Sequence, residues 1–132
     1  MEENVRTAAD AYSPLTLAFI GDGVYDLLVR EHLVRQGNRP VGELNKMKVA
    51  LVKCESQAKF IARLLPLLSE REEAVYRRGR NAAPKCTPKH GSVADYHNAT
   101  GLEALFGYLF LNGEQERTRE LFRIIIENQG CL

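Results

Sequence analysis

Two acidic side chains stand where the sequence gives them almost no polar company. Leu15–Val24, LTLAFIGDGV, is ten residues with one charge, Asp22; Leu102–Leu111, LEALFGYLFL, is ten residues with one charge, Glu103. An ionised carboxylate in apolar surroundings is costly unless a cation pairs with it. Carried on two core helices, the two acids are expected to meet at a divalent metal. Oxygen-only ligands select a hard ion, Mg²⁺ or Mn²⁺, that keeps several waters. Such an ion can lower the pKa of a bound water and stabilise charge developing on a phosphodiester, which would make the chain an enzyme. Asp26 lies four residues after Asp22 on the same helix face, where two carboxylates repel unless a proton or cation separates them. The commoner fate of a lone acid in an apolar helix is a salt bridge or a solvent-facing edge, and on the acids alone that simpler account competes.

A second chemical feature is charge distribution. The 132 residues carry a formal net charge of only +1, yet Ala74–Ala94 holds Arg77, Arg78, Arg80, Lys85 and Lys89 with no Asp or Glu. This is the electrostatic footprint expected for a polyanion, the alternative being a solvated basic loop. Other chemistries are poorly supported. Cys86, His90 and His97 lack the second cysteine pair or tighter histidine pair of a zinc site. No G-x-S-x-G elbow surrounds a serine, and Gly21-Asp22-Gly23 is not followed by the G-K-S/T of a phosphate-binding loop.

The elements that must carry these residues are helical. Ser13-Pro14 is a helix start, with Ser as cap and Pro at the first position. Leu17, Ile20, Val24, Leu27, Leu28 and Val34 keep helical spacing to about Gln36, and Gly37-Asn38 closes the element. Gly21 and Gly23 each cost roughly 1 kcal/mol of helix propensity, so another backbone or a ligand is expected to come close there. Further helices are expected over about Glu43–Cys54, Ser56–Leu65, Ser69–Arg78, Ser92–Asn112, with an irregular first turn near Asn98, and Glu114–Asn128. Pro66 ends or kinks the third, residues 1–12 form an arm with little structure, and Gly79–Gly91 forms a long surface loop. No alternating strand pattern or repeat appears, so the expectation is a compact all-α domain spanning residues 1–132. The hydrophobic share of 45% is that of a globular protein. No apolar run approaches the roughly 20 residues of a membrane span, and the start, MEENVRTAADAY, is unlike a secretory peptide. Three widely spaced cysteines, Cys54, Cys86 and Cys131, fit thiols in a reducing compartment, so a cytoplasmic location is expected.

The combination FIGDGVYD, LNKMKVALVKCESQA, RRGRN and TGLEALFGYLFL, in that order and spacing from about Ala11 to Asn128, resembles the catalytic domain of the ribonuclease III family. More closely it is similar to the family's Mini branch, which has no double-stranded-RNA-binding domain. The resemblance implies a helical homodimer in which each subunit cuts one strand of double-stranded RNA, leaving 5′-phosphate and 3′-hydroxyl ends. It makes Asp22 and Glu103 the catalytic, metal-binding acids, with one Mg²⁺ per subunit and a second ion or Mn²⁺ possible. The larger family has further acids four residues before the aspartate and three before the glutamate; this chain has Ala18 and Thr100 there, a leaner set. Asp26 is assigned a supporting place behind the ligands; Asp95, one or two turns before Glu103, is a candidate for the same place, with an acid at a helix N-terminus as the favoured reading. Arg77, Arg78, Arg80, Asn81, Lys85 and Lys89 are implied to contact RNA, with Lys46 and Lys53 extending the track. Shape-based grip on phosphates and 2′-hydroxyls needs such basic side chains. The implied process is maturation of the 23S ribosomal RNA precursor, aided by a large-subunit ribosomal protein. Homodimerisation is expected independently from the apolar excess of Leu15–Val24. Competing readings are a non-catalytic RNA-binding or ribosome-associated module of the same fold, and a helical protein-interaction module with incidental acids.

Overall fold

A computed structural model of the chain describes residues 8–84 and 92–127. Six helices account for most of them: α1 (Pro14–Gln36), α2 (Val41–Val52), α3 (Cys54–Leu64), α4 (Glu70–Ala82), α5 (Val93–Leu111) and α6 (Gln115–Glu127), with no strand among the described residues. The family of six helices agrees with the expected all-α architecture.

Helix α5 is the axis of the fold. It is apolar on nearly every side, and it can be so because α1, α3, α4 and α6 all pack on it. Leu102, Ala104, Leu105, Phe106 and Leu109 are fully buried. Ser92 starts the helix with a capping box, its hydroxyl accepting from the Asp95 amide while Asp95 accepts from the Ser92 amide. Ser69 and Glu72 repeat that device at α4. Arg117 of α6 then holds the buried Glu72 with two bonds of 2.8 Å and reaches the Leu67 carbonyl. At α1, Ser13 accepts from the Thr16 amide and Pro14 opens the first turn.

Several boundaries differ from expectation for local reasons. Helix α2 begins at Val41, because Pro40 supplies an extended residue before it, and it ends at Val52, where Lys53 is extended (φ −65°, ψ 152°). Helix α3 therefore starts at Cys54, and Ser56 lies within it, donating to the Ala50 carbonyl. Helix α4 runs to Ala82, so Gly79, Arg80 and Asn81 are helical and do not begin a loop. Gly79 does not break the helix there; it is a contact point, where an added Cβ would lie 2.6 Å from the Ala104 Cβ and 3.2 Å from the Gly101 Cα. Helix α5 passes regularly through Asn98, whose carbonyl accepts from both Tyr76 and Arg80. The N-terminal stretch is more ordered than an arm: Ala8–Ala11 is a 3-10 turn, Ala9 is buried, and Asp10 pairs with Arg71. Pro66 does end α3, within the 3-10 turn Leu65–Leu67. On α1, Leu27 and Val34 point to solvent, not to the core.

Candidate active site

Helices α1 and α5 approach until their backbones touch. A Cβ on Gly21 would lie 1.6 Å from the Glu103 carbonyl oxygen and 2.8 Å from the Gly107 amide nitrogen. A Cβ on Gly107 would meet the Leu17 carbonyl oxygen at 2.0 Å. Two glycines facing each other thus let the helix backbones touch, and the crossing sets the next residue of α1, Asp22, beside the Glu103 side chain. Gly23 has a different role from Gly21: an added Cβ there would meet nothing within 4 Å.

The two expected acids are therefore brought together. Asp22 is at the surface and Glu103 is half-buried. Burial, then the neighbouring Asp22 charge, push the Glu103 carboxyl up to about 8, and a shared hydrogen bond with Asp22 favours the proton on Glu103. Gln57 opposes this by donating from Nε2 to Glu103 Oε2 at 3.3 Å. Among the described residues no Lys, Arg or His forms an ion pair with either acid. A pair of carboxylates with no protein cation, one of them held protonated, is a site whose charge a metal ion would balance.

The donor chemistry fits a hard divalent ion. Two carboxylates supply oxygen, and no thiolate or imidazole is among the donors. No cluster of three or more His, Cys, Asp or Glu side chains with metal-site geometry occurs among the described residues. One chain thus offers two carboxylates, a set that suits an ion keeping much of its water shell. Positions 18 and 100 add no carboxylate. Ala18 is buried, and the buried Thr100 donates its hydroxyl to the Tyr96 carbonyl at 2.9 Å.

The remaining expected residues fall in three places. Asp26, one turn beyond Asp22, is held by Arg30 and by Lys48 of α2 at 3.6 Å. Asp95 is engaged in its capping box, and its charge reaches the Cys54 thiol, which burial, Asp95 and Glu55 push up. Arg77, Arg78, Arg80 and Asn81 are exposed at the C-terminal end of α4, Arg77 bonded to Glu73 and Arg80 to Asn98. Lys46 and Lys53 are exposed on α2 and just after it. Lys85, Lys89, Cys86 and His90 lie outside the described residues.

Two site residues escaped the sequence reading. Tyr25, fully buried one turn from Asp22, donates to the Leu51 carbonyl at 3.0 Å and meets Phe106 and Phe122 edge-on. Burial and the Glu103 charge push its hydroxyl far above the usual tyrosine value. Gln57 is the other. Its signal was available: it shares the register of Phe60, Ile61 and Leu64, the buried stripe of α3, so it is a polar side chain at a core position.

An all-helical fold built around a buried crossing of two helices, with an aspartate and a glutamate paired at that crossing, is that of a ribonuclease III-type endonuclease domain. Residues 15–114 match the family model described as Ribonuclease III domain. The chain belongs to the ribonuclease III family, in its Mini-ribonuclease 3 branch. It is 48% identical over 115 residues to a Mini-ribonuclease 3 of a Thermoanaerobacter species, covering 87% of this chain and 81% of that protein. It is 43% identical to that of Symbiobacterium thermophilum, over 83% and 85% of the two chains. The Clostridium tetani protein of the same name is 36% identical over 95% of this chain and 83% of its own length. Among solved structures, the crystal structure of a Fusobacterium nucleatum protein matches with a TM-score of 0.81 and 30% identity, covering 88% of this chain and 94% of that one.

Proposed function

We propose that the protein is a Mg²⁺-dependent endoribonuclease that hydrolyses double-stranded RNA to 5′-phosphate and 3′-hydroxyl ends, with Asp22 and Glu103 holding the ion. The observation that carries this reading is the carboxylate pair at the α1–α5 crossing, left without a protein cation. A hard divalent ion bound there supplies a polarised water and stabilises charge on the phosphodiester. The chain's own part is to hold two oxygens in fixed register through a helix contact that cannot slide, and to meet the duplex with basic side chains. Arg77, Arg78, Arg80 and Asn81, with Lys46 and Lys53, are assigned to RNA contact, where affinity comes from phosphate neutralisation. Asp26 and Asp95 support the site from behind. Mn²⁺ is expected to substitute for Mg²⁺.

The active form in this reading is a homodimer. Leu15, Phe19 and Leu27 recur on one face of α1 around the open Gly23, and they are 41%, 84% and 66% exposed. Phe110 adds to the apolar exposure, and with Val24, Leu27 and Leu28 it lines a shallow cleft of about 160 Å³. An exposed apolar face beside the acids is suited to cover by a second copy, which would set two sites on opposite strands. Residues 1–132 then act as one catalytic domain. The proposed substrate is the duplex stalk of the 23S ribosomal RNA precursor in the cytoplasm, with a large-subunit ribosomal protein as partner. No helix among the described residues is long and apolar enough to cross a membrane.

Incubation of the protein with a precursor transcript and Mg²⁺, followed by end mapping, tests the proposal. Paired cuts on both strands of the stalk with 5′-phosphate ends are expected. Binding to the stalk without cutting would favour a non-catalytic RNA-binding module of the same fold.

A further inference from the structure

We propose that Gln57 is a positioning residue for the metal site: its amide holds the Glu103 carboxylate in place beside Asp22, where the two acids would hold one ion. The inference rests on the reading of Asp22 and Glu103 as the ligand pair. Gln57 is 2% exposed on α3, and its Nε2 bridges two acceptors, the Val52 carbonyl at 2.8 Å and Glu103 Oε2 at 3.3 Å. Val52 is the last residue of α2, so its carbonyl has no partner within its own helix. That backbone acceptor fixes which way the amide points, since the reversed amide would set two oxygens 2.8 Å apart. The two hydrogens of Nε2 are thereby committed, one to the end of α2 and one to the glutamate. A carboxylate restrained by a donor fixed to backbone loses rotational freedom before an ion arrives, and groups that restrain ligands in this way tune metal affinity.

The bond to Val52 does not account for the whole amide. Gln57 Oε1 is buried with no hydrogen-bond partner among the described residues. An unpartnered buried carbonyl is a desolvation cost; methionine, unbranched and of similar length, would remove it together with the bond to Val52. A glutamine that served only the end of α2 would leave Mn²⁺ affinity unchanged when replaced, whereas replacing a positioning one would lower it.

The experiment measures Mn²⁺ affinity by calorimetry, melting temperature in chelator, and kcat and KM on a long RNA duplex, for the wild type, Gln57→Met, Gln57→Asn and Asp22→Asn. Asparagine keeps an amide but is one carbon too short to bridge both acceptors, so a second folded variant is at hand. The expected result is a Mn²⁺ Kd raised about 10–100-fold in both Gln57 variants, with both variants still folded in chelator. Their kcat should fall at limiting Mn²⁺ and recover at excess Mn²⁺, with KM for the duplex unchanged. Unchanged Mn²⁺ affinity in the Gln57 variants, while Asp22→Asn loses it, would overturn the role of Gln57 alone. Asp22→Asn binding Mn²⁺ like the wild type would overturn the ligand assignment, and the inference with it.

Discussion

Gly21 and Glu103 touch through their backbones, the missing Cβ of the glycine being replaced by the glutamate's own carbonyl oxygen, 1.6 Å from where that Cβ would be. The residue that carries one acid and the residue that precedes the other are thus in direct contact, and the spacing between Asp22 and Glu103 is a property of the helix crossing.

Gly21→Ala is therefore expected to force the helices apart, since the obstructing atom belongs to a helix backbone and cannot turn away. The cost should exceed about 3 kcal/mol and leave little folded protein. Gly42→Ala is the matched control, as an added Cβ there meets nothing within 4 Å; it should change stability by less than about 1 kcal/mol. Urea unfolding of the two variants checks the difference.

The Glu103 carboxyl, raised by burial and by Asp22 to about 8, makes metal-free stability depend on pH. The native chain keeps a proton that the unfolded chain has lost above its ordinary value of 4.5. Its contribution is therefore fully present below about 4.5 and is lost as pH rises towards 8 and beyond. Melting curves in chelator should fall across that window, and Glu103→Gln should flatten them. A divalent ion must displace the same proton, so its apparent affinity should climb with pH and level off above about 8. Parallel curves for wild type and variant would contradict the assignment.

Arg78→Ala combined with Arg80→Ala should weaken duplex RNA binding and lower the slope of log affinity against log salt by about one unit per lost phosphate contact. Mn²⁺ affinity should not change, because both side chains lie on α4 and form no ion pair with either acid. Filter binding at several salt concentrations is the measurement, and an unaltered slope would remove these arginines from the RNA track.

Phe19→Glu places a charge on the most exposed large apolar side chain among the described residues. Sedimentation should show a monomer with unchanged helicity. A dimer that survives this substitution would exclude the Leu15–Phe19–Leu27 face as the contact between copies.

How far the sequence alone reached depends on which physical signal each feature left in it. The acids were legible because a single charge in an apolar decapeptide is conspicuous, and the helices because their periodicity and caps at Ser13, Ser69 and Ser92 are local. The end of α4 was not legible. Gly79 has the local signature of a breaker, and only the approach of Ala104 and Gly101 from another helix explains it. Gly21 and Gly23 look alike in sequence, yet one is a helix contact and the other is open. The α2–α3 junction turns on one extended residue, Lys53, that has no strong signature. Gln57 sat in plain register with the α3 core stripe, but its partner is 46 residues away.

The role of Asp22 and its ion in catalysis is decided by cleavage of a long double-stranded RNA with Mg²⁺, with chelator, and by Asp22→Asn protein that folds and assembles as the wild type does. Staggered cuts on both strands are expected with Mg²⁺, and none in either control. Cutting that persists in Asp22→Asn, or RNA bound but uncut with Mg²⁺, would contradict it.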